Sequence, residues 1–233
     1  MSAWLLSLDT STEAVSVALV RAAECYERFE IAPKRQAQLV LPMIDEVLAE
    51  AGIAKSKIGA IAVGRGPGAF TGVRLGISVA QGIALGLDVP VLPISSLAAL
   101  AAEVMDVDPT LTVLATIDAR MGEVYAGCYR FDAQHGVQLI GDECVGPAHS
   151  VPLARAERWG VIGTGWSAYP DYWTPRIGAP EFADGERYPR ASRVAQLAVS
   201  RWQRGHGVAP EFALPAYLRD KVALTEVERG VVR

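Results

Sequence analysis

The sequence predicts an α/β protein made of two related lobes. In each half, an apolar strand ends at an aspartate, and a second strand begins six residues after that acid. The two acids are Asp9 and Asp118. Between these hairpins, the apolar run 58–63 leads through a glycine-rich turn into a stretch compatible with a helix. Alternating strands and helices are typical of α/β folds, and a recurring hairpin indicates an internal duplication.

The first lobe is predicted to begin with three strands and a helix. Residues 4–8 and 15–20 are apolar enough for a buried hairpin, and 25–30 fit a more polar strand at the edge of a sheet. Residues 36–51 carry apolar side chains at helical spacing. Pro42 lies inside this stretch, so the helix either kinks there or becomes regular only from there.

The strand 58–63 is followed by a turn that cannot adopt regular structure. This structural turn consists of Gly64, Gly66, Pro67 and Gly68. A helix over 71–86 follows, with Thr71 as its expected cap, and its positive N-terminal end faces the turn. Such an end suits an anion, but a Gly-Pro-Gly turn without a Walker lysine also has a purely structural interpretation.

The helix over 71–86 has an unusual composition, because Arg74 is its only charged residue. Small side chains recur at four-residue intervals and form a ridge on one face: Gly72, Gly76, Ala80 and Ala84. A helix that is apolar nearly all round is buried on more than one face. The sequence leaves open whether its own domain or another chain buries it.

A strand over 89–94 and a helix that Ser95 or Ser96 caps complete the first lobe, which we place at residues 1–106. The second lobe, 107–233, is predicted to hold strands over 111–117, 123–130, 137–145 and up to Ile162, a short helix over 149–159 and a helix over 192–204. The aromatic-rich stretch 166–189 is interpreted as an irregular loop that covers the core, with base stacking as the alternative. The tail from Pro215 is either a docking segment or a frayed end.

Composition excludes several classes of protein. The 233 residues carry a net charge of −4, so no global positive field attracts nucleic acid or anionic lipid. Three widely spaced cysteines, without a Cys-x-x-Cys pair, argue against a disulfide framework and against a zinc site. The first residues do not resemble a signal peptide, and no charge-free apolar stretch is long enough to span a membrane. We therefore expect a cytoplasmic protein that does not bind membranes.

Facing hairpin turns could hold a nucleotide, with Mg²⁺ near Asp9 or Asp118. Its phosphates would then lie on the backbone of the first turn, which consists of Thr10, Ser11 and Thr12. However, this turn has no lysine, and the three histidines have no partner at the spacing of metal ligands. Both acids can equally serve only as caps of turns. The sequence thus predicts no metal site and leaves nucleotide binding open.

These motifs together resemble the bacterial tRNA threonylcarbamoyladenosine biosynthesis protein family TsaB, formerly YeaZ. The resemblance covers most of the first 130 residues and continues at Gly163-Thr-Gly-Trp166 and Pro215-Ala-Tyr-Leu-Arg219. Its main segments are Leu8-Asp-Thr-Ser-Thr12, Gly64-Arg-Gly-Pro-Gly-Ala-Phe-Thr-Gly-Val-Arg74, Gly76-Ile-Ser-Val-Ala-Gln-Gly82 and Ile117-Asp-Ala-Arg-Met-Gly-Glu-Val-Tyr125. The resemblance implies the duplicated fold of the actin and Hsp70 ATPases, which is ribonuclease H-like.

The resemblance also implies a non-catalytic role. In this family the protein scaffolds and activates the TsaD subunit, which transfers threonylcarbamoyl from threonylcarbamoyl-AMP to N6 of the adenosine 3′ of the tRNA anticodon; the ATPase TsaE participates. The metal-binding motif of the catalytic relative falls here on Ser95, Ser96 and Leu100, which cannot replace imidazole ligands. The isolated chain is thus expected to need no cofactor, whereas the assembled complex uses ATP and Mg²⁺ and binds the tRNA.

The resemblance implies that TsaD binds through two helices, and that the isolated chain forms a homodimer through the same surface. A charge at Ala80 is then expected to prevent association and to leave the monomer folded. Two alternatives remain, an ATP-dependent small-molecule kinase and a metallopeptidase of the same superfamily. The interface residues expected from the sequence are Gln36, Val40, Ile44, Val47, Gly72, Val73, Gly76, Ile77, Ala80 and Ala84.

Overall fold

The computed structural model describes residues 3–219. The first lobe contains a five-stranded sheet in the order β3-β2-β1-β4-β5, in which β1 pairs antiparallel with β2 and parallel with β4. The elements of this lobe are β1 (Trp4–Asp9), β2 (Ala14–Arg21), β3 (Glu24–Ile31), α1 (Gln36–Glu50), β4 (Ile58–Gly64), α2 (Phe70–Leu87), β5 (Val91–Ile94) and α3 (Ser96–Val107).

The second lobe repeats this arrangement with a sheet in the order β10-β9-β6-β7-β8. Its first two strands again form an antiparallel hairpin, and β6 pairs parallel with β9. The elements are β6 (Thr112–Arg120), β7 (Glu123–Asp132), β8 (Gly136–Pro147), β9 (Trp159–Ile162), α4 (Thr164–Ala168), α5 (Pro170–Ile177), β10 (Phe182–Asp184) and α6 (Ala191–Gln203). The predicted fold class, a duplicated α/β fold, is therefore confirmed.

The last helix, α6, packs on the first lobe and not on the second. Val194, Ala195 and Ala198 of α6 are buried against Leu5 of β1 and Leu92 of β5, in the core of the first lobe. The assignment of all residues after 106 to the second lobe is wrong for this helix. The sequence shows an amphipathic helix at this place, but its periodicity carries no information about which sheet the apolar face covers.

The tail docks on both lobes. The amide of Ala216 donates to the carbonyl oxygen of Arg65 at 2.9 Å, and the hydroxyl of Tyr217 accepts a hydrogen bond from Arg74 Nε at 2.7 Å. Arg219 then reaches the second lobe, where it donates to the carbonyl oxygen of Ala119 at 3.0 Å. The docking interpretation is thus confirmed up to Arg219, and the predicted tail beyond it lies outside the described residues.

The small ridge of α2 faces the sheet of its own lobe. Gly72, Gly76, Ala80 and Ala84 are all buried, and Ala80 has no exposed surface. The assignment of this ridge to a partner interface is therefore wrong, as is the expectation that a charge at Ala80 leaves the monomer folded. Small residues let a backbone approach closely, and here that backbone belongs to the chain itself.

The side of α2 that faces away from the sheet is mixed in character. It exposes apolar Leu85 as well as polar Arg74 and Ser78, and the tail covers part of it. The helix is long and apolar enough to cross a membrane, with a mean hydropathy of 1.3 over 18 residues, of which a third are buried. Core helices of globular proteins can be equally long and apolar. Since its buried third packs on the sheet, α2 is a core helix whose outer side the tail covers in part.

Local details differ from the predictions at four places. Ala69, not Thr71, precedes α2 as its N-cap, and no side chain caps the helix. Helix α1 continues through Pro42. Residues 149–158 form no helix, because the apolar side chains there fill gaps around Trp173 without a helical period. The stretch 166–189 contains parts of α4, all of α5 and β10, and Trp173 in it is fully buried.

Candidate functional site

The acid of the first hairpin is enclosed by the chain. Asp9 is 2% exposed. Its Oδ1 atom accepts hydrogen bonds from the amide and the hydroxyl of Ser11, at 2.8 and 2.7 Å, and its Oδ2 atom accepts one from the Ser96 hydroxyl at 2.8 Å. Both carboxylate oxygens are thus occupied. Together with its burial, these bonds disfavour a Mg²⁺ ion at this carboxylate.

The turn after Asp9 is covered by the start of α2. The amide of Ala69 donates to the carbonyl oxygen of Ser11 at 2.6 Å, and the Thr10 hydroxyl donates to the carbonyl oxygen of Gly72, also at 2.6 Å. A Cβ atom at Gly68 would lie 2.1 Å from the carbonyl oxygen of Ser11. The glycine-rich string therefore serves close packing of α2 on the turn formed by Thr10, Ser11 and Thr12. This geometry favours the structural interpretation of the Gly-Pro-Gly turn.

The acid of the second hairpin is more accessible. Asp118 accepts hydrogen bonds from the amide of Arg120 at 2.9 Å and from the Tyr169 hydroxyl at 3.1 Å. It lines a cleft of about 380 Å³ between the lobes, together with Glu13. Arg120 forms ion pairs with both acids and so bridges the two hairpins across this cleft.

The hairpin ion pairs could not be predicted from the sequence. Glu13 and Arg120 each lie a few residues after an acid that the sequence highlights, but nothing in their local pattern indicates that they meet. Arg120 adopts a left-handed backbone conformation with φ of 64° at the tip of its hairpin. The fold of the two lobes then places its guanidinium beside Glu13.

The residues at the positions of the catalytic relative's metal motif make contacts within the chain. Ser95 caps α3 by accepting a hydrogen bond from the amide of Ala98, Ser96 donates to Asp9, and Leu100 is buried in the core of the second lobe. Within residues 3–219, no three His, Cys, Asp or Glu side chains are grouped so that they could hold a metal ion.

The raised pKa of Asp9 leads to a prediction on stability. Burial raises the pKa of this carboxyl, and the hydrogen bonds from Ser11 and Ser96 oppose the rise only in part. In the pH window between the unfolded and the folded pKa, the folded state binds more protons, so the free energy of unfolding falls as the pH rises. Asp9→Asn keeps an acceptor for the Ser11 amide and cannot ionise. We expect urea unfolding at increasing pH, above the ordinary pKa of an aspartate, to show the native chain losing stability relative to this variant.

Parallel pH profiles of the native chain and Asp9→Asn would show that Asp9 ionises as an ordinary carboxyl. Asp45→Asn is the matched control, because the Asp45 side chain is 65% exposed and pairs only with an exposed lysine. This control should leave the slope of stability against pH nearly unchanged.

Most of the interface residues expected from the sequence lie inside the monomer. Gln36 is only partly buried, and its side-chain amide donates to the carbonyl oxygen of Thr12 at 2.8 Å. The outward faces of α1 and α2 instead present Leu41, 53% exposed, and Leu85, 74% exposed. The residues of the sequence-based interface that are buried in the chain are Val40, Ile44, Val47, Gly72, Val73, Gly76, Ile77, Ala80 and Ala84.

A family model and curated relatives match the sequence of this chain. The sequence model of the family "TsaD: tRNA N6-adenosine threonylcarbamoyltransferase" matches residues 29–162. The chain is 39% identical to the tRNA threonylcarbamoyladenosine biosynthesis protein TsaB of Escherichia coli K12, over 94% of this chain and 96% of that protein. It is 37% identical to TsaB of Haemophilus influenzae, over 94% of each.

Solved structures show the same fold. YeaZ from Pseudomonas aeruginosa superposes with a TM-score of 0.85 at 45% identity, over 93% of this chain and all of that one. A second Pseudomonas aeruginosa structure, described as an uncharacterized protein with similarity to peptidase YEAZ, has a TM-score of 0.86 at 44% identity.

Two five-stranded sheets, each opened by a hairpin with an acid at its end, define a protein of the actin-like α/β class. Within that class, the chain belongs to the TsaB family, also called YeaZ.

Proposed function

We propose that this chain takes part in the biosynthesis of threonylcarbamoyladenosine in tRNA, as a non-catalytic subunit that scaffolds and activates TsaD. Membership of the TsaB family supports the pathway. The observation that carries the accessory role is the closed first hairpin, in which Ser11 and Ser96 occupy Asp9 and α2 covers the turn. A catalytic nucleotide site would need that turn to be open.

The partners follow from this role. The chain forms a heterodimer with TsaD, acts with the ATPase TsaE, and pairs with itself when TsaD is absent. ATP and Mg²⁺ belong to the assembled complex, which also provides the contact with tRNA in the cytoplasm. The kinase and metallopeptidase alternatives receive no support from a particular residue of the described chain, since the closed turn disfavours the first and the substituted ligand positions disfavour the second.

Reconstitution tests the proposal. Purified TsaD and TsaE, with ATP, Mg²⁺, threonylcarbamoyl-AMP and unmodified tRNA, should form threonylcarbamoyladenosine only when this chain is added. Mass spectrometry of the digested nucleosides measures the product. Formation of the modified nucleoside at an equal rate without the chain contradicts the proposal.

The isolated chain is predicted to hydrolyse no ATP and to retain no stoichiometric metal. Asp9 and the turn after it are occupied within the chain, and the ligand positions hold serine and leucine. Phosphate release and elemental analysis of the purified chain check this. Metal at one equivalent, or ATP turnover that Asp9→Ala abolishes, would contradict the proposed role.

The isolated chain is also predicted to bind tRNA weakly. With a net charge of −4, the chain as a whole has no excess of positive charge with which to neutralise many phosphates. A gel-shift titration should show a clear increase in affinity when TsaD is added. Tight binding by the chain alone, with a steep loss of affinity on adding salt, would show that it carries its own tRNA site.

A further inference from the structure

A second cavity opens between the lobes, beside the start of α3. It has a volume of about 550 Å³, within the usual range of small-molecule pockets. Residues of the β7–β8 hairpin line one side, and residues of α6 together with Arg65 line the other. The proposed scaffold role makes no use of this space.

The inner wall of this cavity holds a buried carboxylate. The side chain of Glu143 is 7% exposed. Its Oε1 atom accepts hydrogen bonds from the Tyr129 hydroxyl, at 2.6 Å, and from the Ser95 hydroxyl. Burial raises the pKa of Tyr129 well above its ordinary value, so the phenol stays a donor. Two elements, β7 and the cap of α3, therefore fix the orientation of the carboxylate.

The second oxygen of Glu143 has no such partner. Its nearest cationic atom is Arg65 Nη2 at 3.6 Å, which is beyond hydrogen-bond distance. Within residues 3–219, no donor makes a hydrogen bond to this Oε2 atom. Glu143 lines the cavity, so this oxygen can accept a hydrogen bond from a ligand that enters it.

The outer part of the cavity is cationic, although the chain as a whole is acidic. Arg201 and Arg204 of the α6 region line it and are exposed. In the described part of the chain, neither has a carboxylate within 4.0 Å. Free guanidinium groups form strong, often bidentate hydrogen bonds with carboxylates and phosphates.

We propose that this cavity binds a small organic molecule that carries both an anionic group and an ammonium or hydroxyl group, such as an amino acid or its phosphate ester. The ammonium or hydroxyl group donates to the second oxygen of Glu143, and the anionic group pairs with Arg201 and Arg204. A simple anion such as sulfate has no donor for the second oxygen of Glu143, and a simple cation is repelled by the arginines. The ligand would contact both lobes.

Titrations of the full chain in low salt, followed by ¹H–¹⁵N NMR, test this proposal with four probes: L-serine, O-phospho-L-serine, inorganic sulfate and ethanolamine. We expect saturable shifts in the β7–β8 hairpin and α6 with L-serine or O-phospho-L-serine, and much weaker effects with the two simple ions. Glu143→Gln and Arg204→Ala should each weaken binding about tenfold or more. Arg155→Ala, an exposed arginine that does not line this cavity, is the control and should change nothing.

Arg204→Ala alters only an exposed side chain and should leave the fold intact. If Glu143→Gln does not fold, the effect of Arg204→Ala on binding decides the proposal. The proposal is overturned if neither amino acid binds saturably. It is also overturned if inorganic sulfate binds as tightly as O-phospho-L-serine, or if Arg155→Ala weakens binding as much as Arg204→Ala. Either result would show that exposed arginines attract anions without any contribution from Glu143.

Discussion

Replacing Gly72 with alanine is expected to destabilise the folded chain by roughly 3 kcal/mol or more. A Cβ atom at this position would lie 2.1 Å from the carbonyl oxygen of Thr10. That oxygen is part of the backbone, so no flexible side chain can move aside to make room. Either α2 or the turn after Asp9 must shift, and the hydrogen bond from the Thr10 hydroxyl to the Gly72 carbonyl oxygen would be lost or lengthened.

Gly82→Ala is the matched control in the same helix. A Cβ atom at Gly82 meets nothing within 4 Å. Alanine has the higher helix propensity, so this change should stabilise the chain by up to about 1 kcal/mol. Urea unfolding followed by circular dichroism measures both variants. Equal and small effects at the two positions would show that α2 does not rest on the turn as closely as the structure indicates.

The sequence predicts the ridge of α2 but not its direction. Four small residues at four-residue intervals indicate that some backbone approaches the helix closely. The pattern is the same whether that backbone belongs to the chain or to a partner. The approaching residue here, Thr10, lies 62 residues before Gly72, and local spacing contains no information about this contact.

Hairpins and most helices could be predicted because their apolar side chains repeat with the period of the element. The contacts of the candidate site could not. Ser96 binds Asp9 across 87 residues, and Arg120 binds Glu13 across 107. Such pairs depend on how the sheets and helices are arranged, and serine and arginine at these positions resemble any other polar residue of a turn or cap.

The two sides of α2 have different roles in association. The side of α2 that carries the small residues packs on the sheet. The opposite side keeps exposed apolar residues, and Leu85 there is 74% exposed. Helix α1 contributes Leu41 next to this side, where a groove between the helices is lined by Leu41 and Ile83. The exposed leucines and this groove, which Asp45 and Lys55 also line, offer apolar area that a partner could bury. We therefore expect the outward faces, not the small ridge, to bind TsaD and a second copy of the chain.

Leu85→Arg is expected to weaken association with TsaD at least tenfold and to leave the monomer folded. The leucine side chain already faces solvent, so arginine costs little in the monomer, whereas an unpaired charge buried in an interface costs several kcal/mol.

Ala80→Arg should instead abolish cooperative unfolding, because Ala80 has no exposed surface and lies in the core. Val107→Arg, at an exposed position on α3, is the control for added surface charge and should change neither property. Native mass spectrometry measures association, and circular dichroism measures folding. If Leu85→Arg assembles as well as the native chain, the outward face of α2 is not the interface; if Ala80→Arg melts normally, the ridge does not pack on the sheet.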